Sequence, residues 1–205
     1  MNSIVKSYWG MNLKPVIIGK GSDTLAVITP GIGYTLDRVS LEYSSELCLE
    51  LGYDVLKIEY GFQIGRRDFN SEEEFSIIAE ESVALLNSSL NKKYKKIVFI
   101  GKSIGTCVQN VLNDRVHGLD IINIYLSPVN KTVEMGIQSN SLVITGSSDP
   151  LLTKDNSDKI SKLSGINYIR IDGANHALNI EGDAVKSLEV QLNIIKCIKK
   201  YLKSN

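Results

Sequence analysis

The feature that most constrains the fold of this chain is an alternation between short, β-branched apolar runs and segments with a helical period. Six runs read as buried strands, at residues 24–29, 54–60, 96–100, 121–126, 142–145 and 167–171. They are apolar on both faces, as expected for strands inside a parallel sheet that helices cover on both sides. The alternation therefore predicts an α/β fold, a three-layer α/β/α sandwich around a doubly wound, mostly parallel sheet.

The segments between these runs carry helix signals. Ser71 and Glu74 form the pattern S-x-x-E, which predicts a capping box at the start of a helix. Apolar residues at helical spacing predict the last helix, and they are Leu188, Leu192, Ile195, Ile198 and Leu202. Residues 2–19, with turn signals near Gly10 and residues 19–21, predict one or two antiparallel edge strands. Because no repeat or linker divides the chain, we expect a single domain over residues 1–205.

Composition and charge narrow the class of function. Lys plus Arg equals Asp plus Glu, 23 each, so the chain has no net-charge footprint for nucleic acid. Three widely separated cysteines, Cys48, Cys107 and Cys197, indicate free thiols and neither a disulfide framework nor a metal site. No run reaches the ~18 apolar residues of a membrane span, and the first twenty residues do not resemble a signal peptide. We expect a cytoplasmic protein with no metal, no membrane span and no nucleic-acid partner.

The stretch VFIGKSIGT at residues 98–106 raises two competing interpretations, a phosphate-binding loop and a turn that carries a nucleophile on Ser103. A phosphate-binding loop ending in G-K-S needs a glycine at position 96, where Lys96 stands, and residues 97–100 read as a strand. A dinucleotide fingerprint that starts at Gly31 would need its third glycine at position 36, where Leu36 stands. Because neither phosphate-binding pattern is complete, the sequence favours the nucleophile interpretation for the turn at residues 98–106.

The same turn matches G-x-S-x-G, from Gly101 to Gly105, with Ser103 at its centre. A serine on a sharp strand-to-helix turn has strained backbone angles, and glycines two residues before and after it prevent collisions there. Ser103 would then precede a helix, and the N–H of Ile104 would face the oxyanion that forms when Ser103 attacks a carbonyl. The motif predicts a nucleophilic serine.

Serine needs a general base, most often a histidine, and the chain has two. His117 lies between the predicted nucleophile helix and the next strand, at the opposite end of the sheet from Ser103. His176 follows the strand at residues 167–171, so it lies at the carboxyl edge of the sheet, where open α/β sheets bind ligands. We therefore expect His176 to be the base.

A carboxylate must hold the imidazole in the correct tautomer. Asp149 follows the strand at residues 142–145 on the same edge and is favoured for this role. Asp155 and Asp158 read as residues of the next helix, and Asp172 lies close to His176 in sequence. These three aspartates remain alternatives.

The order Ser103, Asp149, His176 is the chain order of the α/β-hydrolase triad. Four sequence pieces carry this likeness: PGIG, GKSIG, GSSDPLL and GANHAL, within a match from about residue 24 to residue 202. The chain resembles small, lid-less α/β-hydrolase-fold serine hydrolases, of the dienelactone-hydrolase-like and carboxylesterase-like kind. The resemblance implies that these three residues are catalytic and that no cofactor is needed.

The resemblance also implies a second oxyanion donor in the loop after the first buried strand. The role carries over to Ile32, with Gly33 and Tyr34 as alternatives, because Pro30 stands where the family often has a histidine. Gly33 and Tyr34 are also expected to border the substrate. Two more side chains border the site as either packing or substrate contacts, namely Phe62 and Gln63.

The expected function is cleavage of a small or exposed ester or thioester through an acyl-enzyme on Ser103. The substrate would be a small acyl compound, because residues 127–141 leave no room for a lid domain. The alternative is a non-catalytic binding protein that retains the fold. The sequence leaves open the natural substrate, its amide or lactone variants, and the oligomeric state, for which a homodimer is one alternative.

Overall fold

The computed structural model describes residues 4–19, 21–90 and 94–205. Its strands are β1 Val5–Lys6, β2 Asn12–Leu13, β3 Val16–Ile18, β4 Thr24–Thr29, β5 Asp54–Lys57, β6 Lys96–Lys102, β7 Asp120–Leu126, β8 Ser141–Gly146 and β9 Ile166–Ile171. Its helices are α1 Val39–Glu50, α2 Gly61–Gly65, α3 Phe75–Ser89, α4 Ile104–Asp114, α5 Asn130–Met135, α6 Lys154–Ser161 and α7 Ala184–Ser204. Among the described residues, no helix is long and apolar enough to cross a membrane.

The central sheet has seven strands in the order β3-β5-β4-β6-β7-β8-β9. β4 to β9 pair in parallel, and β3 pairs antiparallel with β5 at one edge. β1 and β2 form a separate antiparallel pair before the sheet. The predicted parallel sheet and the predicted antiparallel strands near the start of the chain are therefore both confirmed.

The interior strands are buried on both faces because successive side chains point to opposite layers. In β4, Leu25 and Val27 pack with α3 and α4, whereas Ala26 and Ile28 pack with α1 and α7. All six residues of β4 are buried. The result is the predicted three-layer sandwich, in which apolar runs without polar alternation become central strands.

The connection between β7 and β8 contains one short helix, α5. This helix has six residues and ends at Gly136, which has a positive φ of 99°. The fold therefore lacks a lid domain, as predicted from the length of this segment.

Strand boundaries differ from prediction mainly at β5. The apolar pattern predicted a strand to residue 60, but β5 ends at Lys57 and the chain turns into α2 after Tyr60. The hydroxyl of Tyr60 donates to the carbonyl of Pro30, at 3.1 Å. This long-range hydrogen bond, which no local pattern records, draws Tyr60 toward the loop after β4.

The predicted capping box at Ser71 is wrong. α3 begins at Phe75, and its N-terminal cap, Glu74, makes no side-chain capping hydrogen bond. The Glu74 carboxylate accepts instead from the backbone N–H of Asn70 at 2.7 Å. The carboxylate thus closes a turn that precedes the helix.

The predicted buried face of the last helix is also partly wrong. Leu188 and Leu192 are 64% and 55% exposed, although Ile198 and Leu202 are buried as expected. The buried face instead includes Gln191, whose side chain hydrogen-bonds to a loop beneath the helix. A polar residue that faces inward to reach the backbone is invisible to a count of apolar positions.

Candidate active site

Ser103 lies on the turn between β6 and α4 with an unusual backbone conformation. Its φ is 57° and its ψ is −124°, which a residue with a side chain rarely adopts. Its N–H donates to the carbonyl of Leu126 at 3.0 Å, and its carbonyl accepts from the N–H of Thr106 at 2.9 Å. These bonds to β7 and to the first turn of α4 hold the turn in place.

The two glycines of the turn are required by close backbone approach. A Cβ atom on Gly105 would lie 2.4 Å from the carbonyl oxygens of both Thr29 and Pro30. A Cβ atom on Gly101 would lie 2.8 Å from the carbonyl oxygen of Gly105. The G-x-S-x-G spacing thus has the steric cause that the sequence predicted.

Three side chains from separate loops form a continuous hydrogen-bonded series. Ser103 Oγ lies 2.8 Å from His176 Nε2, and His176 Nδ1 lies 2.8 Å from Asp149 Oδ2. The Asp149 side chain is fully buried, and its Oδ1 accepts from the N–H of Leu151 at 2.9 Å. With the proton on Nδ1 donated to the carboxylate, Nε2 is free to accept the serine proton.

The other candidates lie elsewhere. Asp172 accepts from Ser147 Oγ at 3.2 Å, and Asp155 and Asp158 belong to α6. His117 is exposed in the segment that leads into β7, at the amino ends of the strands. The structure therefore brings together the three favoured residues and leaves the competing ones apart.

The loop that carries His176 is held from α7. Gln191 Nε2 donates to the carbonyls of Ala177 and Leu178, at 3.2 and 3.0 Å. Asn175 Oδ1 accepts from the N–H groups of Ala177 and Asn179, at 3.0 and 3.2 Å. These bonds satisfy the backbone of a turn in which Leu178 has a φ of 61°.

The loop after β4 is oriented by Gln63. Its Nε2 donates to the carbonyls of Gly31 and Ile32, at 2.8 and 3.1 Å. Because a trans peptide directs its N–H opposite to its carbonyl, the N–H groups of Ile32 and Gly33 point away from Gln63. A Cβ atom on Gly31 would lie 3.1 Å from Ser103 Cβ, so this loop lies directly against the serine.

Lys102, beside the serine, is a feature that the sequence reasoning missed. It is 0% exposed, its Nζ donates to the carbonyl of His176, and it lies 5.0 Å from the centre of the Tyr34 ring. Burial lowers the pKa of Lys102 to about 7, against the opposing effect of the Asp149 carboxylate. The sequence signal that could have identified Lys102 is its position at the end of an apolar strand, where its side chain could not reach water.

A cleft of about 460 Å³ opens over the serine. Its lining residues are Ile32, Gly33, Tyr34, Ser103, Pro150, Leu151, Asn175, His176 and Ala177. The Tyr34 hydroxyl forms a hydrogen bond of 2.9 Å with Ser40 Oγ, and Phe62 is buried in the core. Gly33 and Tyr34 thus border the cleft, and the side chains of Ile32 and Leu151 form exposed apolar walls.

Across residues 4–19, 21–90 and 94–205, no three His, Cys, Asp or Glu side chains come together in a way that could hold a metal ion.

No protein-family model matches this chain, and no curated protein matches it. Solved structures do share its fold. An α/β serine hydrolase homologue from Coxiella burnetii has a TM-score of 0.67 and 15% identity, over 97% of each chain. A dienelactone hydrolase from Anabaena variabilis has a TM-score of 0.71 and 14% identity, over 100% of this chain and 97% of that one. A lid-less α/β serine hydrolase from Xanthomonas campestris has a TM-score of 0.60 and 13% identity, over 98% of this chain and 94% of that one.

Proposed function

We propose that this chain, which has the lid-less α/β-hydrolase fold predicted from its sequence, is a serine hydrolase that cleaves a small or exposed ester or thioester. One observation carries the proposal. Ser103 Oγ and His176 Nε2 are 2.8 Å apart, and a buried carboxylate is bonded to the other ring nitrogen. That is the geometry in which an imidazole can accept a serine proton.

In the proposed first step, His176 takes the Ser103 proton while Ser103 Oγ attacks the substrate carbonyl carbon. Asp149 holds the tautomer and stabilises the imidazolium that forms. The N–H groups of Ile104 and Ile32 receive the developing oxyanion, and the Gly33 N–H is the alternative to that of Ile32. The imidazolium then protonates the departing alcohol or thiol, which leaves an acyl group on Ser103.

Water completes the cycle. His176 takes a proton from a water molecule, whose oxygen attacks the acyl carbonyl, and the same proton returns to Ser103 Oγ as the acid departs. The chain's own residues thus supply the base and the oxyanion donors for both half-reactions, and the nucleophile for the first.

The structural neighbours support hydrolase chemistry as the class. The Coxiella and Xanthomonas proteins are described as serine hydrolases and the Anabaena protein as a dienelactone hydrolase. Because one fold hosts many functions, the ester or thioester substrate rests on the site residues and not on these neighbours.

A fluorophosphonate probe tests the proposal. We expect the purified chain to form a covalent adduct at Ser103, detected by intact mass and peptide mapping. Ser103→Ala should lose the adduct. Ser147→Ala, a second serine at this edge whose hydroxyl bonds to Asp172, should retain it. An unlabelled but folded wild-type protein would favour the alternative, a binding protein with this fold.

A further inference from the structure

The most unusual charged residue near the site is Lys102, the last residue of β6. Lysine is almost never fully buried unless its charge is paired, yet this side chain is 0% exposed. Its amine donates to a main-chain carbonyl and faces the ring of Tyr34. A leucine or methionine would fill the same space without the cost of removing an amine from water.

We infer that Lys102 is a positioning residue for the proposed hydrolysis, which fixes the backbone of His176 and places a positive charge beside the Asp149–His176 pair. The inference rests on the proposed function for its kinetic consequences. Lys102 touches no reacting atom in this arrangement, so it acts through His176.

The first argument is mechanical. Ser103 follows β6 and His176 follows β9, and β7 and β8 lie between these two strands in the sheet. No backbone ladder therefore joins the serine turn to the histidine loop. Lys102 precedes Ser103 and donates to the carbonyl of His176, so it ties the two loops together next to the Ser103–His176 hydrogen bond.

The second argument is electrostatic. The titratable side chains around Lys102 come from three loops: Tyr34 after β4, Asp149 after β8 and His176 after β9. A positive charge on Lys102 disfavours a second positive charge on the imidazole. Because burial lowers the pKa of Lys102 to about 7, its charge changes near neutral pH.

Kinetics of Lys102→Met and Lys102→Gln on a nitrophenyl acetate or butyrate ester test the inference. Lys102→Met should lower kcat about tenfold or more with KM nearly unchanged, because the base loses its support. The acidic limb of the profile of kcat/KM against pH should move to higher pH by about half a unit or more, because a charge that opposes imidazole protonation is gone. Lys102→Gln retains an N–H donor without a charge, so it should recover part of kcat and keep the shifted limb.

Lys96→Met is the matched control. Lys96 begins the same strand at its opposite end and pairs with Asp120 at 3.1 Å. This variant should keep both the kcat and the pH profile of the wild type. If Lys102→Met keeps them as well, or loses kcat only in proportion to a lower urea midpoint, the inference is overturned.

An active hydrolase in which Lys102→Met keeps the wild-type kcat and pH profile would remove the role of Lys102 alone. A folded wild-type chain that the fluorophosphonate probe does not label would instead remove the proposed hydrolase, on which this role depends.

Discussion

At the scale of single residues, Gln63 has the most specific indirect effect on the cleft. One amide group donates to two consecutive carbonyls of the loop that faces Ser103. This arrangement orients the N–H groups on which the proposed oxyanion hole depends. Gln63, which does not line the cleft, would thereby set the direction of the proposed donors.

We expect Gln63→Leu to lower kcat by about tenfold to a hundredfold, because complete loss of an oxyanion donor costs ~10²–10³ and this change only misorients one. Initial rates on a nitrophenyl ester measure the effect. Gln138→Leu, in the segment between α5 and β8 at the opposite edge of the sheet, is the control and should keep the wild-type rate. A wild-type kcat in Gln63→Leu would show that the loop keeps its orientation without this amide.

The buried amine of Lys102 also predicts how stability depends on pH. Below pH 7 the folded and unfolded chains both carry the proton, so the cost of burying the charge is fully present. Between about pH 7 and the ordinary lysine pKa of 10.5, unfolding takes up a proton, and the free energy of unfolding therefore rises with pH. The contribution amounts to at most about 5 kcal/mol.

Urea denaturation of wild type and Lys102→Met from pH 6 to pH 10 measures this contribution. We expect the free energy of unfolding of the wild type to rise relative to that of the variant as the pH increases. Other titrating groups cancel in the difference. A difference that stays constant over this range would mean that the folded state retains the lysine proton.

The residues that sequence motifs could predict are those with a fixed chemical role. Ser103 has a five-residue signature, and His176 and Asp149 follow from the edge of the sheet at which their strands end. The role of Lys102 could not be predicted, nor could that of Gln63, which the sequence placed only at the border of the site. Each acts on backbone atoms more than thirty residues away. Such contacts leave no periodic or spaced pattern.

At the scale of secondary-structure elements, the close crossing of α4 over β4 fixes the turn that carries Ser103. The backbone at Gly105 touches the carbonyls at the end of β4 and leaves no space for a side chain. The Thr29 hydroxyl adds a hydrogen bond to the Gly105 carbonyl at 2.9 Å. The helix therefore lies as near to the strand as backbone atoms allow.

We expect Gly105→Ala to lower the free energy of unfolding by about 2 kcal/mol or more, because the added methyl group meets two backbone oxygens that cannot rotate away. Urea denaturation measures the loss. Gly33→Ala is the stability control, since a Cβ atom there meets nothing within 4 Å. Equal stability of the two variants would contradict the crowding argument.

The sequence could predict which segments are strands and which are helices, because apolar runs and helical periods report burial directly. The residues at which these elements end, and the face that each helix buries, were harder to predict because single long-range hydrogen bonds decide them. Tyr60 turns away from β5 to reach Pro30, and Gln191 rotates α7 toward the His176 loop. At Ser71 the S-x-x-E pattern was present, but Glu74 bonds to Asn70 instead.

At the scale of the whole molecule, the absence of a lid sets the exposure of the cleft. The segment between β7 and β8 holds only α5, and the walls over Ser103 are the exposed side chains of Ile32 and Leu151. A long acyl chain would therefore remain largely in water. It would add little binding energy beyond its first few carbons.

We expect the catalytic efficiency, kcat/KM, on nitrophenyl esters to be highest for acetate or butyrate and not to rise for longer acyl chains. A series from two to about twelve carbons measures this preference, at concentrations below micelle formation. If the longer acyl chains were buried in the protein, each added methylene would contribute ~0.8 kcal/mol to the binding free energy. A kcat/KM that rises steadily with acyl-chain length would indicate that part of the protein covers the cleft.

The arrangement of strands also bears on when the proposed chemistry would become available during synthesis. β6 lies in the middle of the sheet, but the His176 loop follows the edge strand β9 and is fastened by Gln191 of α7. A nascent chain that has emerged only as far as β8 contains Ser103 but not yet His176. The proposed transfer of the serine proton would thus become possible only after β9 and α7 have joined the fold.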